Sequence, residues 1–164
     1  MEAVSCGLGS LAAMIFITAC NGPIVVYIKK VMREDEDGFT AACATAPILL
    51  VEDEEDLRFP LKLYLEARGY SVVVAKDGAD ALALLRGSLR PCVILLDLMM
   101  PHVDGFGFRR NQIQDPLLRE IPVIVFSGAY DATVQAMALG VAAHAQKPID
   151  TVRLAELIEQ HRLK

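Results

Sequence analysis

From residue 47 onward the chain is punctuated by short, unbroken apolar runs that end in chemically useful residues. Ile48-Leu49-Leu50-Val51 runs into Glu52 and Asp53, Cys92-Val93-Ile94-Leu95-Leu96 into Asp97, and Ile121-Pro122-Val123-Ile124-Val125-Phe126 into Ser127. Tyr70-Ser71-Val72-Val73-Val74-Ala75 ends at the turn Lys76-Asp77-Gly78, and the weaker run Ala142-Ala143-His144-Ala145 precedes Lys147. Runs without polar alternation are strands covered on both faces, as in a parallel sheet. Between them apolar residues recur at helical spacing: Leu57, Leu61, Tyr64 and Leu65, then Ala79, Leu82, Ala83 and Leu85, and later Leu154, Leu157 and Ile158. Gly69, Gly87 and Gly140 stand where helices should stop. Pro60 falls inside the first helix, where it removes a backbone hydrogen bond. The alternation predicts an α/β protein, a flavodoxin-like doubly wound sandwich with a five-stranded parallel sheet and five helices.

Ligands of such sheets bind beyond the carboxyl ends of the strands. Glu52, Asp53, Asp97, Ser127 and Lys147 are therefore predicted to share one rim. Singly, an acid after a strand is commonly a helix N-cap or a surface charge; that reading does not account for all five positions together. Clustered carboxylates disfavour one another's ionised forms. A hard divalent cation relieves the repulsion, and oxygen-only ligands with room for water suit Mg2+. The cation and Lys147 would then form a site for a dianionic phosphoryl group, with Ser127 donating a hydrogen bond.

Four motifs carry a family resemblance: ILLVEDEEDLR (48–58), VILLDLMMPHVDGFGF (93–108), PVIVFSG (122–128) and the pair Lys147-Pro148. Together they resemble the receiver domain of two-component response regulators, in particular the stand-alone, chemotaxis-type kind, from about Pro47 to the C-terminus. The resemblance implies that Asp97 is the phosphoacceptor and that Asp53 and Asp97 bind Mg2+ directly. The Met99 backbone carbonyl is implied as a further ligand, with Glu52 acting through water. Ser127 and Lys147 would hold the phosphoryl oxygens, Ser127 also serving as a switch residue. Pro101, Asp104 and Gly105 match the loop leading into the third helix, and Pro148 the family's cis-proline turn. The implied donor is a histidine kinase or phosphotransfer protein, and the product a 4-aspartylphosphate. The chain is thus expected to be a signalling switch that catalyses only its own phosphorylation, not an enzyme in the ordinary sense.

Two departures bear on how such a switch would behave. Most members of the family carry Tyr or Phe where this chain has His144. An exposed edge-strand histidine and a working switch residue both remain open there. Met99 and Ala129, two residues after Asp97 and Ser127, are apolar and offer no group to orient an attacking water, so slow self-hydrolysis of the acyl phosphate is expected. Gly105-Phe106-Gly107 is not a dinucleotide loop, lacking the third glycine and the preceding strand. With the last helix ending near Lys164, output is expected through protein–protein contacts to an unidentified target. The expected face comprises Asp131–Gly140 and Val141–Gln146, which is also where a homodimer would form. A phosphorelay intermediate, a phosphate sink and a non-phosphorylated adaptor are the alternatives.

The first 46 residues differ in texture. From Ala3 to Ile28 no residue is charged, and Lys29-Lys30 follows. Residues 8–28 are long enough for a membrane span of ~20 residues, with the cations on the cytoplasmic side, although Asn21-Gly22-Pro23 would break or kink a helix. An extension upstream of a working start at Met32 stands level with the anchor. A secretory signal lacks its positive n-region. The organisation read from the sequence is an apolar segment at 1–31, an acidic and small-residue linker at 32–46, and a receiver domain at 47–164. Sixteen basic against twenty-one acidic residues, net charge −5, supply no cationic surface for nucleic acid. Cys6, Cys20, Cys43 and Cys92 form no CxxC pair, which suits a reducing cytoplasm. Under the anchor reading the protein would sit on the cytoplasmic face of the inner membrane.

Overall fold

The computed structural model describes residues 15–19, 22–26, 46–101, 103–128, 134 and 137–163. The chain divides into two compact units, Met1–Phe39 and Thr40–Lys164. In the first, β1 (Ile15–Ala19) and β2 (Gly22–Val26) pair antiparallel, with Ile15 opposite Val26 and Ala19 opposite Gly22. Their β-branched residues favour extended backbone. Among the described residues no helix is long and apolar enough to cross a membrane. The remainder of the 1–31 segment and nearly all of the 32–46 linker lie outside the described residues.

The second unit begins with β3 (Ile48–Val51), followed by α1 (Glu55–Ala67), β4 (Val72–Ala75), α2 (Gly78–Arg86) and β5 (Val93–Asp97). It continues with α3 (Gly105–Gln114), β6 (Val123–Ser127), β7 (Ala143–Gln146) and α4 (Thr151–His161). The five strands β3 to β7 form one parallel sheet in the order β4-β3-β5-β6-β7. Every residue of β3, β5 and β6 is buried, as their unbroken apolar runs require. Alternate strand residues feed two cores. Leu49, Val51, Ile94, Leu96, Val123 and Val125 meet Leu82 and Leu85 of α2 and Phe108 of α3. Ile48, Leu50, Val93, Leu95, Ile124 and Phe126 meet Leu61 and Leu65 of α1 and Leu154, Leu157 and Ile158 of α4.

Asp77, Asp104 and Asp150 cap the first turns of α2, α3 and α4, each accepting hydrogen bonds from backbone N–H groups. Pro60 is tolerated inside α1 because Leu61 and Leu65 bury the helix against the sheet. Gly69 and Gly140 adopt positive φ, as expected of helix stops; Gly87 instead ends α2 at φ −73° and needs no glycine-specific conformation. Of the helix expected over 131–140, Val134, Met137 and Ala138 are helical and the rest lies largely outside the described residues, so four of the five expected helices are described in full.

A buried polar cluster lies on α3. Arg109 donates from Nε to the Leu139 carbonyl at 3.2 Å, from Nη2 to the Gly140 carbonyl at 2.7 Å, and from Nη1 to Gln112 Oε1. Gln112 in turn donates to the carbonyls of Leu118 and Ile121 at 2.7 and 2.9 Å. Burial holds the Arg109 guanidinium below its ordinary value, and among the described residues it meets no carboxylate.

Candidate functional site

The chain runs from β3 out to the edge strand β4 and returns past β3 to start β5, so strand order reverses between β3 and β5. Loops leaving neighbouring strands diverge at such a point and open a crevice. Glu52 and Asp53 follow β3 directly, and Asp97 is the last residue of β5. Ser127, fully buried, closes β6. Lys147 follows β7 and is placed by its own N–H, which donates to the Ser127 carbonyl at 3.0 Å. The Lys147-Pro148 bond is cis, as the resemblance implied.

The side chains converge. Glu52, Asp53 and Asp97 each present a carboxylate oxygen, and these lie within 4.8 Å of one another. Lys147 Nζ donates to Glu52 Oε2 at 2.9 Å and to Asp97 Oδ2 at 2.8 Å, and sits 5.3 Å from the centre of the Phe126 ring. The backbone N–H of Met99 donates to Asp97 Oδ1, and that of Glu54 to Glu52 Oε1, both at 3.2 Å. Asp53 Oδ1 is buried yet receives no hydrogen bond among the described residues.

That orphaned oxygen matters because buried carboxylate oxygens are seldom left without a partner. One lysine leaves a net negative cluster, and a hard cation with oxygen ligands supplies the missing charge. The residues present therefore fit Mg2+. Burial pushes the Glu52 carboxyl up to about 7, against the downward pull of Lys147, and the charge of Asp97 adds to the rise. Burial works against the Lys147 ammonium, but its hydrogen bonds to Asp97 and Glu52 and their charges outweigh it and hold the group above its ordinary value.

Two residues support the rim beside the five that form it: Arg58, which the sequence reading does not single out, and Gly105, for which it expects a structural role. Arg58 Nη1 donates to the carbonyls of Glu52 and Asp53 at 2.7 and 3.0 Å, clamping the loop that carries both acids. Its presence in the first motif was the available signal, but its partners are backbone atoms that no residue pattern encodes. Gly105 packs so closely on the end of β5 that an added Cβ would stand 2.4 Å from the Asp97 carbonyl oxygen. Its N–H also donates to the Leu98 carbonyl at 3.1 Å. The structural role expected of Gly105 is thus close backbone approach beside the acceptor.

His144 lies exposed on the edge strand β7, opposite Val125, away from the buried ends of the central strands. Ala129 lies outside the described residues, as does His102.

Comparison with known proteins gives a consistent family. The model of the response regulator receiver domain matches residues 48–159. The chain is 41% identical over 113 residues to the response regulator PleD of Caulobacter vibrioides, covering 67% of this chain and 24% of PleD. It is 33% identical over 115 residues to the protein PilH of Pseudomonas aeruginosa, covering 69% of this chain and 94% of PilH. The chain thus spans about a quarter of one relative and nearly all of the other. Among solved structures, a response regulator receiver protein from Pseudomonas putida superposes with a TM-score of 0.65 at 31% identity, over 71% of this chain and 98% of that one.

Proposed function

The chain belongs to the response regulator receiver domain family, and from that premise we propose that Asp97 accepts a phosphoryl group from the phosphohistidine of a kinase or phosphotransfer protein. The observation that carries the reading is the hydrogen-bonded set Glu52, Asp97 and Lys147 beside the unpartnered Asp53 oxygen. A carboxylate oxygen of Asp97 attacks phosphorus in line; the new O–P bond forms as the N–P bond to the donor imidazole breaks. Lys147, already 2.8 Å from Asp97 Oδ2, is within reach of an oxygen on the incoming group and offsets its charge. Ser127, at the end of the adjacent strand, is the second donor to the phosphoryl oxygens. Mg2+, held by Asp53, Asp97 and the Met99 carbonyl and by Glu52 through water, would supply the remaining charge neutralisation.

Output passes through protein contacts on the face of residues 131–146, where Val134 and Met137 expose apolar side chains. We place the switch in the cytoplasm. The apolar side chain of Met99 leaves no group to orient water, so the acyl phosphate decays slowly; decay within seconds in the absence of a phosphatase would contradict this.

The test is intact-mass measurement of the full chain after incubation with an acyl phosphate donor and Mg2+. Wild type gains one phosphoryl group and Asp97→Asn none. A folded wild type that gains nothing would overturn the proposal and leave a binding adaptor in its place.

A further inference from the structure

The loops that lead into the described helices are held by two different devices. Asp77, Asp104 and Asp150 cap α2, α3 and α4 with their own carboxylates, whereas Glu54, the cap residue of α1, makes no side-chain cap bond. Arg58 takes over from inside the helix. Its backbone N–H donates to the Glu54 carbonyl at 2.8 Å, and its Nη1 to the carbonyls of Glu52 and Asp53 at 2.7 and 3.0 Å. One residue thus holds three successive carbonyls of the loop between β3 and α1. A carbonyl held by the guanidinium is not free to turn toward a cation, so carboxylates are what this loop has to offer. Among them is Asp53 Oδ1, buried and without a hydrogen bond among the described residues.

We propose that Arg58 is a positioning residue for Mg2+: by fixing the backbone of residues 52–54 it keeps the Asp53 carboxylate beside those of Glu52 and Asp97, and it tightens cation binding although it carries a positive charge itself. The three carboxylates lie within 4.8 Å of one another, so a small rotation of the loop is enough to disperse them. The guanidinium acts on the site in two ways of opposite sign. As a charge it opposes a second cation, but Arg58 is half-buried rather than enclosed, and a screened repulsion there is worth about twofold in affinity. As a clamp it orders the loop before the cation arrives, and ordering the backbone of a single residue is worth about tenfold in an equilibrium. The clamp outweighs the charge. Its side-chain hydrogen bonds go to backbone oxygens, so Arg58 acts through Glu52 and Asp53.

This role rests on Mg2+ binding at the rim as proposed above, and the experiment keeps the two apart. Mg2+ is titrated into the full chain and followed by the nuclear magnetic resonance of its backbone amides, whose dispersion also reports that each variant is folded. Arg58→Met keeps the aliphatic stem without the charge; Arg58→Lys keeps the charge but stops about one bond short of both carbonyls. Arg58→Met should bind Mg2+ about fivefold more weakly, the opposite of what loss of a positive charge does by itself. Arg58→Lys keeps the repulsion and loses the clamp, so it should bind at least as weakly, and it carries the test alone should Arg58→Met fail to fold. Phosphoryl uptake from an acyl phosphate should need correspondingly more Mg2+ in both variants, yet at saturating Mg2+ run within about twofold of wild type. A merely structural role would lower the melting temperature and leave the Mg2+ requirement of the folded protein where it was. Binding as tight as wild type or tighter in a folded variant, or an uptake rate that saturating Mg2+ fails to restore, overturns this proposal and leaves the metal reading standing. Wild type that binds no Mg2+ overturns both.

Discussion

The domain buries two charged clusters, one at the ends of β3, β5 and β7 and one on α3, and they solve the problem of a buried charge in opposite ways. At Arg109 the guanidinium donates to the carbonyls of Leu139 and Gly140 and to Gln112, whose own amide donates to two further carbonyls. Each donating nitrogen is met by a neutral acceptor, so the cluster ties α3 to distant backbone. At the rim, Lys147 meets two carboxylates, a third stands beside them, and a buried oxygen of Asp53 goes unmet. A satisfied buried charge is a staple; an incompletely satisfied cluster with a net negative charge is a site. Removing a satisfied group should therefore cost stability, and removing an unsatisfied one should cost chemistry.

Arg109→Leu tests the stapling half and should have the largest effect on folding. It leaves Gln112 Oε1 and two carbonyls without their donor, each worth about 1 kcal/mol or more when buried. Urea denaturation should show a loss of about 3 kcal/mol, reduced by some local relaxation, and Mg2+ should not restore it. A restoration by Mg2+ would mean that the two clusters are coupled, contrary to the comparison.

Gly105→Ala probes the backbone under the acceptor. The new Cβ would fall 2.4 Å from the Asp97 carbonyl oxygen and 2.7 Å from Leu98 Cα; backbone has to move, at a cost of about 2 kcal/mol. Thermal melts should record the loss, and phosphoryl uptake should slow because the loop bearing Asp97 shifts. Unchanged values of both would show that the contact is loose.

The smallest effect concerns pH. Glu52, whose carboxyl is pushed up to about 7 by burial, binds its proton more tightly when folded than when unfolded. Its contribution to stability is therefore greatest below pH ~4.5, falls as pH rises, and is lost above about 7. Without divalent cation, Glu52→Gln should gain on wild type by roughly 1 kcal/mol across that interval, less than the full shift because the pair with Lys147 relaxes. A gain in the opposite direction would mean that Lys147 governs the titration of Glu52 more strongly than burial does.

Much of the rim could be read from residues alone because each component follows a strand whose unbroken apolar run announces itself. Ile48–Val51, Val93–Asp97 and Val123–Ser127 are covered on both faces, and in a parallel sheet their ends must lie on one side. The weaker run before Lys147 is legible as well, although β7 alternates between half-buried and exposed. Arg109 and Gln112 escaped notice for a physical reason. The sequence Arg109-Arg110-Asn111-Gln112 has the texture of a solvated helix face. Arg110 and Asn111 are indeed exposed, but Arg109 meets the carbonyls of Leu139 and Gly140, thirty residues on, and Gln112 those of Leu118 and Ile121, and backbone acceptors leave no trace in residue type. Arg58 escaped in the same way, and Gly87 looked like a left-handed stop although its φ is negative.

The contrast between site and staple is tested most directly by locating the phosphoryl group in wild type, Asp97→Asn and Arg109→Leu, each treated with an acyl phosphate in Mg2+ or in excess chelator. The account predicts one phosphoryl group on Asp97 in wild type and in folded Arg109→Leu with Mg2+, and none in chelator or in Asp97→Asn. Uptake by Asp97→Asn, or equal uptake with and without the cation, would contradict it.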